Sequence, residues 1–498
     1  MIASLWRRGA VALSLALVPA ALAAQAPAPG GTLTLEQAVE AARQNNPDFL
    51  QTANDLRSAR ATVRQARMNL LPTADASTSF GYTAAGTQRV GVVSVGGAQP
   101  AYYTSGFSVS SSYQLSRSKL LAPGVARAQE AATRQRIAGT EATLVGNVAQ
   151  QYLSVLQAQE QVTQAAQDVA RTAEHVRLAQ ARLQVGAGTP LDLRQAEVQK
   201  GQADVKLVQQ QATLETERLR LGQIMGAPLS PDTKLVSSFQ VFEPTWRPDS
   251  LVAIAIRNNP SLLAARATEN AAHTQVRQAR SAYLPSLGFQ VGLNGYTQQS
   301  RDENLLFQQA YGSLVQGFAA CQRDNMLNQS VGLPTQNCGA DPSTAASESA
   351  LRSRIGDLNG KFPFHYTRQP LQAGVSVSLP IFTGGQRSRQ IEESRVAAED
   401  ARLAVRSLEL RLNADIAAAT LTLRTAYRTA QLQEQVAQKA AEELRLAQER
   451  FRYGAANSID VTDAQASLAQ AEQARIDAVY AFHKSLAALE ALIGQPLR

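Results

Sequence analysis

Residues able to carry chemistry are scarce in this 498-residue chain, which has only two cysteines and four histidines. The histidines are scattered, and none stands in an HExxH or Cys-His spacing that could form a metal site. No glycine-rich phosphate loop opens a helix after a strand. We therefore expect no enzymatic activity, no cofactor and no metal site. Any energy that the protein's work requires would come from partner proteins.

Apolar runs long enough to form a membrane-spanning helix are also missing, because such a helix needs about 20 residues. The shorter run 9–20 follows Arg7 and Arg8 and precedes small residues. This order predicts a signal peptide over 1–23, followed by a disordered linker over 24–32. A retained N-terminal anchor is the alternative. No cysteine stands directly after the cleavage region, so we expect no lipid attachment there.

Clusters of one charge sign are absent as well. The formal net charge is +8, but the Lys and Arg residues are interspersed with Glu, Asp and Gln along helical segments. This pattern is typical of solvated helix faces. It argues against a nucleic acid as partner, since that would require a basic patch or stripe.

The chain carries the same landmarks twice, in the same order. Asn45-Asn46-Pro47 recurs as Asn258-Asn259-Pro260, displaced by 213 positions. Three later pairs are displaced by 268 positions, namely Gly186 and Gly454, Asp192 and Asp460, and Gly226 and Gly494. A duplication that keeps its spacing indicates one structural unit built twice. We predict a first repeat over 33–229, a connector over 230–248 and a second repeat over 249–498.

The later part of each repeat predicts a long helical hairpin. Residues 386–453 contain neither Gly nor Pro, and Ile391, Ala398, Val405 and Leu412 recur at intervals of seven, which suits a coiled-coil seam. At about 1.5 Å per residue this helix would be on the order of 100 Å long. The equivalent helix lies at about 125–184. Shorter antiparallel helices follow at about 191–222 and 459–490.

Four segments of about ten residues alternate between apolar and small polar side chains, which predicts strands. Their length suits tilted strands that cross a membrane. Four strands cannot close a barrel, and open edges are not tolerated in lipid, so we expect a transmembrane β-barrel shared by several copies. Two soluble β-hairpins that cap a coiled coil are the alternative. The predicted strands lie at about 72–82, 104–116, 285–296 and 371–382.

The second pair of strands is separated by a much longer segment than the first. We predict that 298–368 is an outer loop, because long loops of membrane barrels lie on the outer face. It contains both cysteines, Cys321 and Cys338. An even pair in an exported protein predicts a disulfide, which would staple this loop.

Together these features resemble the TolC-like outer-membrane efflux protein family, from Leu33 to Leu497. The resemblance implies a homotrimer in the outer membrane, with a twelve-stranded β-barrel continued into a periplasmic barrel of antiparallel coiled-coil helices. It implies a passive exit duct for efflux or type I secretion, engaged by a periplasmic adaptor (membrane fusion) protein and an inner-membrane pump of RND or ABC type. A soluble periplasmic coiled-coil adaptor or scaffold is the alternative. The matching fragments are LTLEQAVEAARQNNP, ARMNLLPTADAS, VGAGTPLDLRQAE, SVSLPIFTGGQRS, RFRYGAANSIDVTDAQASLAQAE and IGQPL.

The segments 186–190 and 454–458 break each long helix and begin its return, so they predict turns at the hairpin tips. Thr189 and Ser458 are expected to be helix N-caps. The resemblance implies that matching tips also dock the adaptor. It assigns that role to Gly186, Thr189, Pro190, Gly454 and Asn457.

Asp460 and Asp463 are three residues apart and share one helix face, so a trimer would place six carboxylates around one constriction. Such a ring attracts cations. Both positions match the entrance aspartates of the family that the chain resembles, and together with Asp192 we predict that they form a periplasmic gate. The alternative is that acidic residues simply stabilise a helix N-terminus. Where family members often have a basic residue, this chain has Ala456, so Arg194 or Arg452 is expected to substitute.

Overall fold

A computed structural model of the protein describes residues 31–497 except 88, 91–92, 95–99, 231 and 237–239. The predicted signal peptide and nearly all of the linker lie outside the described residues. The chain divides into two compact units, and each takes segments from both predicted repeats. Of the described residues, the helical unit comprises those up to Asp55, those of Arg134–Ala264 and those from Arg406 onwards, and the sheet unit comprises those of Leu56–Thr133 and Ala265–Val405.

Helices dominate the described chain. No helix among the described residues combines the length and the apolar character needed to cross a membrane. The helices are α1 (Leu35–Asn45), α2 (Pro47–Met68), α3 (Arg117–Gln184), α4 (Pro190–Met225), α5 (Pro248–Asn258), α6 (Pro260–Arg280), α7 (Glu303–Ser330), α8 (Ala345–Asn359), α9 (Gln386–Arg452) and α10 (Ser458–Ile493). The strands are β1 (Thr32–Leu33), β2 (Thr73–Thr83), β3 (Arg89–Val90), β4 (Val93–Ser94), β5 (Tyr102–Leu115), β6 (Lys234–Leu235), β7 (Ser286–Ser300), β8 (Thr367–Arg368) and β9 (Gln372–Ser378).

The long helices α3 and α9 contain 68 and 67 residues. On α9 the four positions of the predicted seam, from Ile391 to Leu412, are all buried. After Leu412 the spacing shortens once to four residues, which is a stutter that locally unwinds a coiled coil. Intervals of seven then resume. The buried positions that keep this interval are Ile416, Leu423, Ala430, Ala437, Leu444 and Phe451.

The duplicated Asn-Asn-Pro motifs perform the same task in both halves of the helical unit. The second asparagine, Asn46 or Asn259, donates from its amide to the carbonyl of Ile224 or Leu492 across 2.8 Å. Its Oδ1 accepts a backbone N–H three residues further on across 2.9 Å. One side chain therefore caps the start of α2 or α6 and also satisfies a carbonyl at the end of α4 or α10.

The duplicated glycines complete this joint. Gly226 and Gly494 follow α4 and α10 in left-handed geometry, with φ of +71° and +79°. A Cβ at Gly226 would lie 2.3 Å from the Asn45 oxygen, and a Cβ at Gly494 would lie 2.6 Å from the Asn258 oxygen. Both the backbone angle and the close approach therefore require glycine.

The predicted connector 230–248 takes part in the helical unit. Its strand β6 pairs in parallel with β1. Tyr152 of α3 is fully buried, and its hydroxyl lies 2.7 Å from the Leu33 oxygen and 3.1 Å from the Val236 oxygen. Tyr152 thus ties this strand pair to a long helix.

The sheet unit contains an antiparallel sheet in which β2, β5, β7 and β9 are neighbours in that order. The short strand β8 also pairs with β7. The strands lie within or close to the four predicted segments. β9 is shorter than predicted, since it ends at Ser378 rather than near 382. Pro380 follows and has no N–H to donate to a neighbouring strand.

The segment 298–368, predicted as a loop, is largely helical, so that prediction is wrong in detail. Strand β7 extends to Ser300, and α7 and α8 follow. Asp302 and Thr344 cap the two helices by accepting backbone N–H groups three residues on, at 3.1 and 3.3 Å. Arg352 of α8 lies 3.7 Å from the ring of Phe307 on α7. Polar, glycine-containing sequence hid these helices because their apolar periodicity is weak.

Candidate gate at the helical tips

Both helical hairpins turn in the same way. The backbone reaches left-handed geometry at Gly186 (φ +72°) after α3 and at Gly454 (φ +76°) after α9. The next residue, Ala187 or Ala455, donates its N–H to the carbonyl five residues back across 2.8 Å. This Schellman arrangement satisfies carbonyls at a helix end and favours glycine at the left-handed position. The two predicted tips are thus the same turn, built twice.

The returning helices begin with caps that use the duplicated aspartates. Thr189 precedes Pro190, the first residue of α4, and its Oγ1 accepts the Asp192 N–H at 3.2 Å. Asp192 in turn accepts the Thr189 N–H at 2.8 Å, which completes a capping box. Asp460 of α10 likewise accepts the Asn457 N–H at 3.1 Å. Both aspartates therefore stabilise the start of a helix, as the alternative interpretation expected.

The predicted N-cap role of Ser458 is wrong. Asn457 has the extended backbone of a cap, with φ −88° and ψ 164°, while Ser458 is the first helical residue. Ser458 is fully buried, and its hydroxyl lies 3.4 Å from Nε2 of His175. Asparagine and serine are both good caps, so the sequence alone does not decide between Asn457 and Ser458. The contact with His175 identifies Ser458 as the residue that points inward.

The third predicted gate acid has different surroundings. Asp463 lies one turn further along α10 than Asp460, is exposed, and makes no hydrogen bond or ion pair with any described residue. The spacing of three residues places Asp460 and Asp463 on one side of the helix. Asp463 is therefore an acid near the tip that capping does not explain.

An arginine absent from the sequence-based prediction connects the two tips. Arg182 donates from Nη1 to the carbonyl of Phe451, and from Nη2 to the carbonyl of Ala187 at 3.1 Å. Its guanidinium lies 4.2 Å from the centroid of the Phe451 ring, a cation–π contact. A signal was available, because Arg450 occupies the duplicated position and donates to the Ala455 carbonyl of its own turn at 3.3 Å.

Neither of the arginines expected to substitute at Ala456 takes that role within the chain. Arg194 is exposed and pairs at 2.7 Å with Glu197 of its own helix. Arg452 is exposed at the end of α9. Among the described contacts at the tips, Arg182 is the basic side chain that reaches from the first hairpin to the second.

A buried histidine lies behind the second tip. The ring centroid of His175 on α3 is 5.8 Å from that of Phe451, and the residue is only 5% exposed. Burial lowers the pKa of His175 below its ordinary value of 6.5, and the negative charge of Asp192 opposes part of this shift. Desolvation dominates, so the ring is neutral at pH 7.

Further from the tips, a partly buried ionic cluster joins α3 to α10. Arg171 donates to Glu472 at 2.5 Å and also pairs with Asp168. Burial raises the pKa of Asp168 despite its bond to Arg171. Burial also acts to raise the pKa of Glu472, but the hydrogen bond and charge of Arg171 outweigh it and lower that pKa. The single guanidinium is therefore shared unequally between two carboxylates.

The two cysteines lie in the sheet unit. Cys321 of α7 and Cys338 form a disulfide, with their Cα atoms 5.7 Å apart. Asn325 supports the same turn, since its amide donates to the Gln336 carbonyl at 2.7 Å and its Oδ1 accepts the Gln336 N–H at 2.6 Å. In the part of the chain that the structure describes, no group of His, Cys, Asp or Glu side chains could hold a metal ion.

The long helical hairpins, the antiparallel sheet and the paired tips define the class of outer-membrane efflux channels. The family model described as outer membrane efflux protein matches residues 38–227 and 251–495. The chain therefore belongs to the TolC-like outer membrane efflux protein family. It is an outer-membrane protein with its helical part in the periplasm.

Individual relatives are distant. Outer membrane efflux protein BepC of Brucella suis biovar 1 is 25% identical over 305 residues, which are 61% of this chain and 53% of BepC. The match thus spans about half the length of that curated relative. A solved membrane protein from Pseudomonas aeruginosa is 20% identical with a TM-score of 0.67, over 93% of this chain and 90% of that one. The open state of the Neisseria gonorrhoeae MtrE outer membrane channel is 18% identical with a TM-score of 0.66, over 93% and 89%.

Proposed function

We propose that this chain is the exit duct of a tripartite efflux or type I secretion system. It would pass small molecules or proteins out through the outer membrane, with energy supplied by an inner-membrane pump of RND or ABC type. The observation that carries the proposal is the duplicated tip, since 186–192 and 454–460 have the same turn and the same aspartate. Two equivalent tips on one chain suit a repeated contact with a periplasmic adaptor.

Assembly into a homotrimer is supported by the edges of the sheet. In the described residues β2 and β9 each have a strand neighbour on one side only. Free edges cannot face lipid, because their backbone groups would lack hydrogen-bond partners. Four strands from each of three copies would close a twelve-stranded barrel without edges.

The side chains of this sheet also suit a barrel wall. Phe289, Val291, Val375 and Val377 are 41%, 44%, 70% and 69% exposed in the single chain. Phe289 and Val375 are direct partners across β7 and β9, so their side chains share one face. The intervening residues, such as Gln290 and Ser376, are polar. An apolar face towards lipid and a polar face towards a lumen is the pattern of transmembrane barrels.

The helix α4 carries a stripe that the single chain leaves uncovered. Its apolar residues recur at intervals of seven and are all exposed. We call this set of residues the α4 stripe. A sustained apolar stripe with this period is a coiled-coil surface, which supports contact with another copy of the chain. The α4 stripe consists of Leu191, Val198, Val205, Ala212 and Leu219.

In such a trimer Asp460 and Asp463 would contribute six carboxylates near the periplasmic entrance. Asp192 and Asp460 already act as caps, so Asp463 is the residue that best supports a charged gate. Close carboxylates favour cations and repel anions. The proposed adaptor contact uses the exposed turn residues of both tips, namely Gly186, Thr189, Pro190, Gly454 and Asn457.

Cell fractionation followed by unheated and heated gel electrophoresis tests this proposal. The protein should be recovered with the outer membrane, as a detergent-resistant trimer that heating converts to monomer. Cross-linking from cysteines placed at Ala187 and Ala455 should capture an adaptor in intact cells. Recovery as a monomer in the soluble periplasm would favour the adaptor or scaffold interpretation instead.

A further inference from the structure

The two tips have the same turn, but the arginine and histidine side chains that join them in the described contacts belong to the first hairpin. Arg182 and Arg450 are equivalent by the duplication, and each donates to the carbonyl of its own turn. Among the described contacts, Arg182 also reaches the other hairpin, at Phe451. The position equivalent to His175 is Glu443, and the position equivalent to Ser458 is Pro190, so the second repeat cannot return the His175 contact.

We propose that Arg182 and His175 form a clamp by which the first hairpin positions the second tip, and that proton uptake by His175 loosens this clamp. The clamp is a feature of the helical unit by itself. Its consequence for an open or closed duct rests on the proposed function. The second tip carries Asp460 and Asp463, so the clamp would place the proposed gate acids under the control of pH.

Arg182 supplies the part of the clamp that does not depend on pH. Its guanidinium remains charged at every physiological pH. The carbonyl it binds belongs to Phe451, in the last turn of α9, where the helix dipole favours a cation. The same guanidinium covers the buried Phe451 ring. Arg182 is therefore a positioning residue for the turn at Gly454.

His175 supplies the part that responds to protons. It meets the Phe451 ring from α9 and the Ser458 hydroxyl from α10, while Asp192 at the start of α4 is the charged group that acts on it. On α3 itself, Arg171 lies one turn before His175 and is bonded to Glu472, and Arg182 lies two turns after it and is turned towards Phe451. A buried, uncharged ring fits this surrounding, and an imidazolium would be left with only partial compensation from Asp192.

The direction of the pH effect follows from proton linkage. The folded-state pKa of His175 lies below its ordinary value of 6.5. A locally opened tip therefore binds more protons than the closed tip, so acid favours opening. The effect begins as the pH falls through about 6.5 and ends below the folded-state pKa. At pH 5.5 opening would be favoured by as much as about tenfold.

Hydrogen exchange of the full-length protein in detergent, read by mass spectrometry, tests the clamp without any transport assay. The reporter peptide is 451–462, and the matching peptide 183–194 of the first tip is its internal control. After correction for intrinsic exchange rates, the reporter should exchange faster at pH 5.5 than at pH 7.5, by up to about tenfold. His175→Gln should abolish this difference. His273→Gln, at an exposed position, should preserve it.

Arginine variants separate the two parts of the clamp. Arg182→Gln should accelerate reporter exchange at both pH values by about 10- to 100-fold, the loss expected for hydrogen bonds from a charged group. Arg450→Gln, its duplicated counterpart, should affect the reporter less, because it bonds only within its own turn. Equal effects of the two variants would overturn the positioning role of Arg182.

A flat wild-type pH profile between 7.5 and 5.5 would overturn the role of His175, and this measurement needs no variant. A pH difference that persists in His175→Gln would do the same. If the exchange results hold but the protein conducts no ions in bilayers, the clamp stands and the proposed duct fails. The two ideas are therefore separable.

Discussion

Replacing the duplicated glycines by alanine tests whether close backbone packing, and not only the left-handed backbone angle, requires glycine at Gly226 and Gly494. Gly494 and Gly454 have nearly the same geometry, with φ of +79° and +76°. Alanine in that geometry costs about 1–2 kcal/mol. At Gly494 the added Cβ would also lie 2.6 Å from the Asn258 oxygen, whereas at Gly454 it would meet nothing within 4 Å. Overpacking adds about 1–3 kcal/mol, so we expect losses of about 2–5 kcal/mol for Gly494→Ala and about 1–2 kcal/mol for Gly454→Ala.

Denaturant unfolding of the purified protein, followed by circular dichroism of the helices, measures this difference. The midpoint should fall further for Gly494→Ala than for Gly454→Ala, with similar slopes. Gly226→Ala and Gly186→Ala form a second matched pair, since φ is +71° and +72° and only Gly226 lies against backbone, at Asn45. Equal losses of unfolding free energy within both pairs would refute the reasoning, because the left-handed backbone angle alone would then explain the need for glycine.

Other variants test other parts of the account. Val205→Glu should weaken the trimer by placing a charge in the α4 stripe, seen as more monomer in size-exclusion chromatography, while Gln211→Glu beside the stripe should not. Asp463→Asn should lower the cation preference of the channel in bilayer recordings without shifting the unfolding midpoint. Arg171→Met should cost up to about 3–5 kcal/mol in denaturant unfolding because two half-buried carboxylates lose their partner. Arg177→Met, at an exposed ion pair, should cost less than about 1 kcal/mol.

The long helices were predictable because their cause is local and repeated. The absence of Gly and Pro in 386–453 predicts α9, and the seam from Ile391 to Leu412 is buried as expected. The buried positions of α9 from Ile416 onwards and the residues of the α4 stripe also recur at intervals of seven, so both could be predicted from the sequence.

The inserted helices were harder to predict. Their caps, Asp302 and Thr344, are ordinary sequence signals, but α7 contains the weak helix formers Gly312 and Gly317, and its apolar residues follow no clear helical period. The helices are stabilised by contacts such as Arg352 over Phe307 and by the disulfide. Tertiary contacts of this kind override weak local propensity.

The same distinction holds at the candidate gate. The turn glycines and Asp192 were predictable because capping acts over three residues. Arg182 bonds to a residue 269 positions away, and His175 contacts one 283 positions away. No local pattern specifies such pairs. The duplication offered a partial signal, since Arg182 and Arg450 match while His175 and Glu443 do not.

Single-channel recording in planar bilayers is the most direct test of the central claim that this chain forms a passive duct. Purified, heat-sensitive trimer should produce discrete conductance steps without any energy source, with a preference for cations that declines in Asp463→Asn. A correctly assembled trimer that inserts into the bilayer but gives no steps, at neutral or acid pH, would contradict the account.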